Sequence, residues 1–367
     1  MSVYIVVGGQ FGSEGKGKVA AFISKQDNID ICVRCGGPNS GHSFVDETGK
    51  MIVLRQLPTG FVNPHSRLLL PAGALIDPCV LKEEIEFLNL PMSRIGVDRK
   101  CFVIEDKDRR KEQELRLRER ISSTLCGVGA AVSRRVMREG GARLAKDIVG
   151  EHPWMSELLT DVTEEVNTGL DHEKKVLVEG TQGFGLSLYH SQHYPHTTSR
   201  DTTASGFLSE VGISPRYATE IIVVFRTFPI RVEGQQAGPM LDEIRWDDVQ
   251  SESGYPVPVS EYTTVTKRLR RVARFDWGLA RRAVRVNRPT RIAINGLDLL
   301  SFSNRGVIHS KELDHRALQF IRDLENQTGS PVGYCGTGPS LQEMFSISAA
   351  PKMIAEKANT ASRVRSA

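Results

Sequence analysis

The chain has 367 residues, 48 Lys and Arg against 44 Asp and Glu, and a formal net charge of +4. At roughly 150 residues per domain this allows two or three domains or one large α/β unit; 40% apolar and 25% charged residues exclude general disorder. No apolar run approaches the roughly 18 residues of a membrane span, MSVYIVVGGQFG lacks the basic region of a signal peptide, and the charge surplus is too small to indicate nucleic acid as a partner; a cytoplasmic chain is expected.

Residues 3–7 (VYIVV) read as a buried strand that runs straight into VVGGQFGSEGKGK, residues 6–18. Glycines let a backbone fold so that several N–H groups face a phosphate, and the helix expected from AAFISK adds its N-terminal potential. Five residues separate Gly9 from Gly15 where the common P-loop has four, and Gly17 stands where that loop has a hydroxyl. This is a phosphate loop of a different form.

The second strand, 30–35 (DICVRC), leads to GGPNSGHS, 36–43. Asn39 and His42 then sit on a loop at a strand's C-terminal end, where open α/β sheets bind ligands. Cys32 and Cys35 form one C-x-x-C within the apolar run, which reads as strand packing ahead of metal or redox chemistry; all six cysteines are expected reduced. Further strands are expected at 51–55, 67–71, 100–105, 175–179, 220–226, 291–295 and 331–335. Several are apolar at consecutive positions, as in parallel strands covered on both faces.

Met155, Leu159, Val162 and Val166 line one face of an expected helix with Gly169 as its cap. Leu313, Ala317, Ile321 and Leu324 do the same in 311–326. VEGTQG, 178–183, and YPHTTSRDTTASG, 194–206, offer amide and hydroxyl donors at a strand end, or else a polar turn and a helix N-cap. Lys267, Arg268, Arg270 and Arg271, beside Thr266, suit carboxylates or phosphates, or else form a solvated basic helix face or a nucleic-acid patch. NGLD (295–298) and CGTGP (335–339) are glycine-bearing strand ends suited to a nucleotide base. The expected architecture is α/β, a large, mostly parallel central sheet with helices on both faces. Residues 1–347 form a single domain in this reading, and 348–367 a frayed tail.

Together, GQFGSEGKGK, GPNSGH, EGTQG, YPHTTSRDTTASG, TKRLRR, NGLD and GTGP resemble, in order, the adenylosuccinate synthetase family. The resemblance implies a fold related to P-loop GTPases, a homodimer, Mg²⁺, and a C–N ligase of purine biosynthesis. A nucleoside triphosphate phosphorylates the 6-oxygen of a purine monophosphate, and aspartate's amine displaces that phosphate. It further implies that Gly12, Glu14, Gly15, Lys16 and Gly17 form the triphosphate's loop, with Lys16 on the transferring phosphates. Gly41 faces the metal through its carbonyl, and His42 is the general acid. Asn39, Thr124, Gln182 and Thr198 hold the monophosphate. Thr266, Arg268 and Arg270 grip aspartate, and Asn295, Asp298, Gly336, Gly338 and Pro339 hold the triphosphate's base. A dimer partner's arginine completes the phosphate site, with Arg138 and Arg143 both near the implied position.

Two departures from the family pattern bear on substrates. Family enzymes acting on IMP have aspartate, the N1 base and a metal ligand, where this chain has Ser13. Guanine carries a 2-amino group beside N1, and the smaller serine leaves room for it. In this the chain is most similar to the viral 2-aminoadenylosuccinate synthetases, which use dGMP; the host cytoplasm is then the expected location. Gly296 and Gly336 replace the lysine and serine with which GTP-using members select guanine, which points to ATP or dATP. Ordinary IMP and GTP use, and an inactive nucleotide-binding homologue, are the alternatives.

Overall fold

The computed structural model describes residues 2–263 and 268–347. Its main sheet has ten strands in the spatial order Met344–Ser346, Val332–Gly336, Arg291–Asn295, Ala218–Arg226, Ser2–Gly8, Lys175–Glu179, Ile31–Arg34, Arg67–Leu70, Ile95–Asp98 and Leu159–Thr160. Every neighbouring pair is parallel except the first, where Met344–Ser346 returns antiparallel on Val332–Gly336. The opening strand is central. Its Val3, Ile5 and Val7 pack into one core cluster and Val6 into another, the latter with Val19, Ala20 and Ile23 of the helix Lys16–Gln26. Burial on both faces is why these strands are apolar at consecutive positions. Among the described residues no helix is long and apolar enough to cross a membrane.

Several boundaries differ from expectation. Residues 51–55 pair outside the main sheet, in a hairpin of Met51–Leu54 with His42–Val45; 100–105 shrinks to Phe102–Val103, paired with Leu75–Ile76. The helix expected from Met155 begins at Val162, because Asp161 caps it by accepting from the Glu164 N–H (3.1 Å) and Leu159 joins the sheet edge. Gly169 does not end it; that residue is inside the helix, where a Cβ would stand 2.7 Å from Ile31 Cδ1. The helix expected over 311–326 spans His315–Thr328, capped by Asp314. Cys32 and Cys35 are buried free thiols, and burial pushes Cys32 up to about 12, consistent with packing. The 348–367 tail lies outside the described residues.

Candidate active site

The motifs converge because the parallel strands all deliver their C-terminal ends to one edge, the position where such sheets bind ligands. Gly8, Arg34, Glu179, Arg226, Asn295 and Gly336 are the last residues of six adjacent or near-adjacent strands. Two cavities open there. One, of about 430 Å³, is lined by Asn39, Thr124, Gln182, Thr198, Arg268 and Arg270 among others. The other, of about 530 Å³, is lined by Glu14 through Lys18, His42, Asn295, Asp298, Gly338 and Pro339. Gly12, Ser13, Gly41 and Arg270 line both, so the cavities meet at the phosphate loop.

That loop is stapled from within. Glu14 is buried and takes the Gln10 and Gly12 N–H groups at 2.9 and 2.8 Å, while Lys16 Nζ reaches its other oxygen at 2.8 Å and Gly12 O at 3.1 Å. Two of the loop's N–H groups are therefore committed to Glu14. Those free for a phosphate are in the first turn of the helix from Lys16, which Gly15 enters at φ +86°. Arg226 Nη1 holds Ser13 O at 3.2 Å and pairs with Glu261.

His42 is not on a loop. It is the first residue of the strand His42–Val45, buried, with its Nδ1 against Arg34 and Glu179. Arg34 Nη1 donates to Glu179 Oε1 at 2.8 Å, and Glu179 Oε2 accepts from the Thr59 N–H and hydroxyl at 2.7 and 2.9 Å. Burial, then the Arg34 charge, lowers His42 to about 3. Burial raises Glu179, but His42 and Arg34 outweigh it and hold the carboxyl below its usual range. The imidazole is thus neutral at neutral pH, its Nδ1 meeting both the Arg34 donor and the Glu179 acceptor. Its Nε2 is buried without a partner among the described residues.

Gln182 stands at φ +58°, and a Cβ on Gly8 would meet its carbonyl at 2.6 Å, so the 179–183 turn rests on the phosphate loop. Arg268 is exposed at the rim, 3.9 Å from Glu233, and Arg270 is half-buried, its pKa lowered by burial. Thr266 and Lys267 lie outside the described residues. Arg143 is bound to Glu105 (2.9 Å) and Glu151 and lines a separate cavity. Arg138 is exposed at φ +54°, flanked by exposed Val136 and Met137, with no side-chain partner among the described residues.

At the far end, Gly296 has φ +79° and a Cβ there would lie 2.9 Å from Thr227 Oγ1. A Cβ on Gly336 would lie 2.1 Å from Asn295 Oδ1 and 2.8 Å from Lys18 Nζ. A lysine at Gly296 would be strained in the left-handed region, and a serine at Gly336 would have to displace the ends of the Asn295 and Lys18 side chains. Lys18 donates to Gly338 O at 2.6 Å, and burial lowers it to about 8 against the pull of Asp298 and Glu343. Sequence reading missed Arg34, Glu179, Arg226 and Arg231. The first three had a visible signal, a charged residue closing an apolar strand. Arg231, buried over the Phe11 ring at 4.7 Å and lowered to about 10 by burial, had none.

The family model described as adenylosuccinate synthetase matches residues 5–153 and 142–305. The chain is 43% identical over 350 residues to the adenylosuccinate synthetase of Thermococcus onnurineus, covering 94% of this chain and 98% of that one. It is 43% identical over 349 residues to that of Methanocaldococcus jannaschii, covering 94% and 96%. Among solved structures, the cyanophage S-2L succinoaminodeoxyadenylate synthetase (PurZ), bound to dGMP and dATP as an energy donor, superposes with a TM-score of 0.78 at 26% identity over 94% and 95% of the two chains. The fully ligated adenylosuccinate synthetase of Plasmodium falciparum superposes with a TM-score of 0.82 at 22% identity over 95% and 100%, a likeness of fold. This chain belongs to the adenylosuccinate synthetase family, C–N ligases of purine biosynthesis.

Proposed function

We propose that residues 1–347 act as one unit that joins L-aspartate to C6 of dGMP through a 6-phosphoryl intermediate, driven by ATP or dATP, giving 2-amino-deoxyadenylosuccinate. The observation that carries this reading is Ser13, on the wall shared by the two cavities. A small neutral side chain there accommodates a 2-amino group and accepts a hydrogen bond from it. The cyanophage protein, bound to dGMP and dATP, supports both substrates. The 43% identity to archaeal adenylosuccinate synthetases favours the second reading, IMP with GTP.

In the proposed reaction Asn39, Thr124, Gln182 and Thr198 hold the monophosphate in the smaller cavity, and Lys16 with the first helical turn holds the transferring phosphates. His42, oriented by Glu179, presents Nε2 to the purine 6-oxygen. The oxygens at the junction, Ser13 hydroxyl and Gly41 carbonyl, are hard neutral donors that suit Mg²⁺ carried in on a triphosphate. No group of three or more His, Cys, Asp or Glu that could hold a metal occurs among the described residues. When bound, the ion would neutralise charge on the transferring phosphate. Free Arg138, between exposed apolar residues, suits the arginine lent to a partner subunit better than Arg143, which is already paired.

The test crosses IMP, GMP and dGMP with ATP, dATP and GTP at fixed aspartate and Mg²⁺. The highest kcat/KM is expected for dGMP with an adenine triphosphate; preference for IMP gives the second reading, and nucleotide binding without turnover on any monophosphate gives an inactive homologue. A second expectation concerns aspartate. Each charge-assisted bond to a carboxylate contributes roughly 1.5–3 kcal/mol. Arg268→Leu should therefore raise KM for aspartate about tenfold or more. An unchanged KM with weakened DNA binding would instead make the basic run 267–271 a nucleic-acid patch.

A further inference from the structure

Asp298 lies at the base end of the larger cavity, 4% exposed. One of its oxygens is already in use. Tyr255 donates its hydroxyl to Oδ2 at 2.5 Å, and Arg305 Nη1 lies 3.5 Å from the same oxygen and 3.1 Å from the tyrosine hydroxyl. Both are braced from behind. Arg305 Nε is bound to Glu343 Oε1 at 2.8 Å, and the Tyr255 ring packs edge-on against Phe302 with centroids 4.7 Å apart. Each carboxylate oxygen offers two lone-pair sites, so Tyr255 and Arg305 fill Oδ2. Oδ1 has no partner among the described residues.

We propose that Tyr255 and Arg305 are specificity-determining residues for the triphosphate's base: by occupying Oδ2 they reduce Asp298 from a two-oxygen acceptor to a one-oxygen acceptor. This rests on the reading of the cavity as the triphosphate site. Guanine presents two adjacent donors, N1–H and the 2-amino group, which match both oxygens of a free carboxylate. Adenine has one donor group on that edge, the 6-amine, beside an acceptor at N1. With one oxygen open, adenine loses nothing. Guanine must leave a donor unpaired or displace Tyr255, and a site with an unpaired buried polar group discriminates strongly. Gly296 and Gly336 removed the side chains that would favour guanine in the family pattern; the Tyr255–Arg305 clasp adds a feature that disfavours it.

The experiment measures equilibrium binding of ATP and of GTP to the full chain, and kcat/KM for each at fixed monophosphate and aspartate. It is run on the wild type, Tyr255→Phe, and Tyr255→Phe with Arg305→Gln. Wild type should bind ATP more tightly than GTP. Tyr255→Phe should shift the ATP-to-GTP ratio toward GTP about tenfold, and the double variant further. Far-UV circular dichroism and retained ATP binding establish that the variants are folded. A ratio unmoved in variants that still bind ATP overturns the proposal, as does a wild type that prefers GTP. Failure to turn over any monophosphate overturns the proposed function instead, while the binding ratio still decides the clasp. Binding of neither triphosphate overturns both.

Discussion

Replacing His42 with asparagine is expected to lower kcat by roughly 10²–10⁴-fold, the usual cost of losing a general acid, with nucleotide affinity much less changed. Asparagine keeps a donor of similar reach but has no transferable proton. Glu179 and Arg34 hold the ring at Nδ1, as a carboxylate orients histidine in other acid–base sites, so Nε2 is the atom left for substrate. In the unliganded protein His42 is lowered to about 3 by burial and by Arg34, so it enters the reaction neutral. The negative charge of bound phosphates raises the imidazole's proton affinity, so it takes a proton from solvent as the nucleotides bind and then gives one from Nε2. Near-normal turnover of the asparagine variant would return His42 to a packing role. A second readout is independent of catalysis. The unfolded chain takes up this proton near pH 6.5 and the folded chain only near 3, so His42 contributes a loss of stability as pH falls from 6.5 toward 3. His42→Asn should lose less stability over that window, measured as the difference in Tm between pH 7 and pH 4.5.

The parts of the site visible in the sequence were those carried by local chemistry. Gly15 at φ +86° and the helix from Lys16 follow from glycine spacing after an apolar strand, and the same logic placed NGLD and GTGP at strand ends. What remained hidden depends on pairing across the chain. His42 and Glu179 are 137 residues apart, and only the sheet order, with Lys175–Glu179 beside Ile31–Arg34, brings them together. The strand Ile95–Asp98 was invisible because Gly96 interrupts a short apolar run; the glycine is needed, since a Cβ there would meet Leu69 Cδ2 at 2.5 Å. The Asp298–Tyr255–Arg305 clasp likewise brings Tyr255 to a stretch 43 to 50 residues further along the chain, with no shared pattern between the two.

Ser13→Asp should invert the preference between dGMP and IMP, the other large effect expected of this site. The substitution restores the family's base at N1 but sets a carboxylate beside the guanine 2-amino group. Two consequences compete. An anion accepts a hydrogen bond from that amine, which favours dGMP. A longer side chain must also fit where the serine and the amine already meet, and overpacking a rigid site costs roughly 1–3 kcal/mol. The surroundings decide whether the loop can yield. Ser13 O is held by Arg226, which is anchored on Glu261; Gly12, at φ +95°, has Gln182 Cα 3.2 Å from where its Cβ would be. Glu14 fastens the loop from beneath through the Gln10 and Gly12 N–H groups. A loop tied at three points cannot retreat, so the misfit falls on the bound base, and small misplacements of reacting groups can cost about 10²-fold. The steric consequence therefore outweighs the added hydrogen bond: dGMP turnover falls, while IMP, which has no 2-amino group and gains a base, is turned over faster. The readout is the ratio of kcat/KM for dGMP to that for IMP in wild type and variant. A ratio that rises in Ser13→Asp would mean that the amine binds the carboxylate without crowding, and serine would then not be the residue that admits guanine.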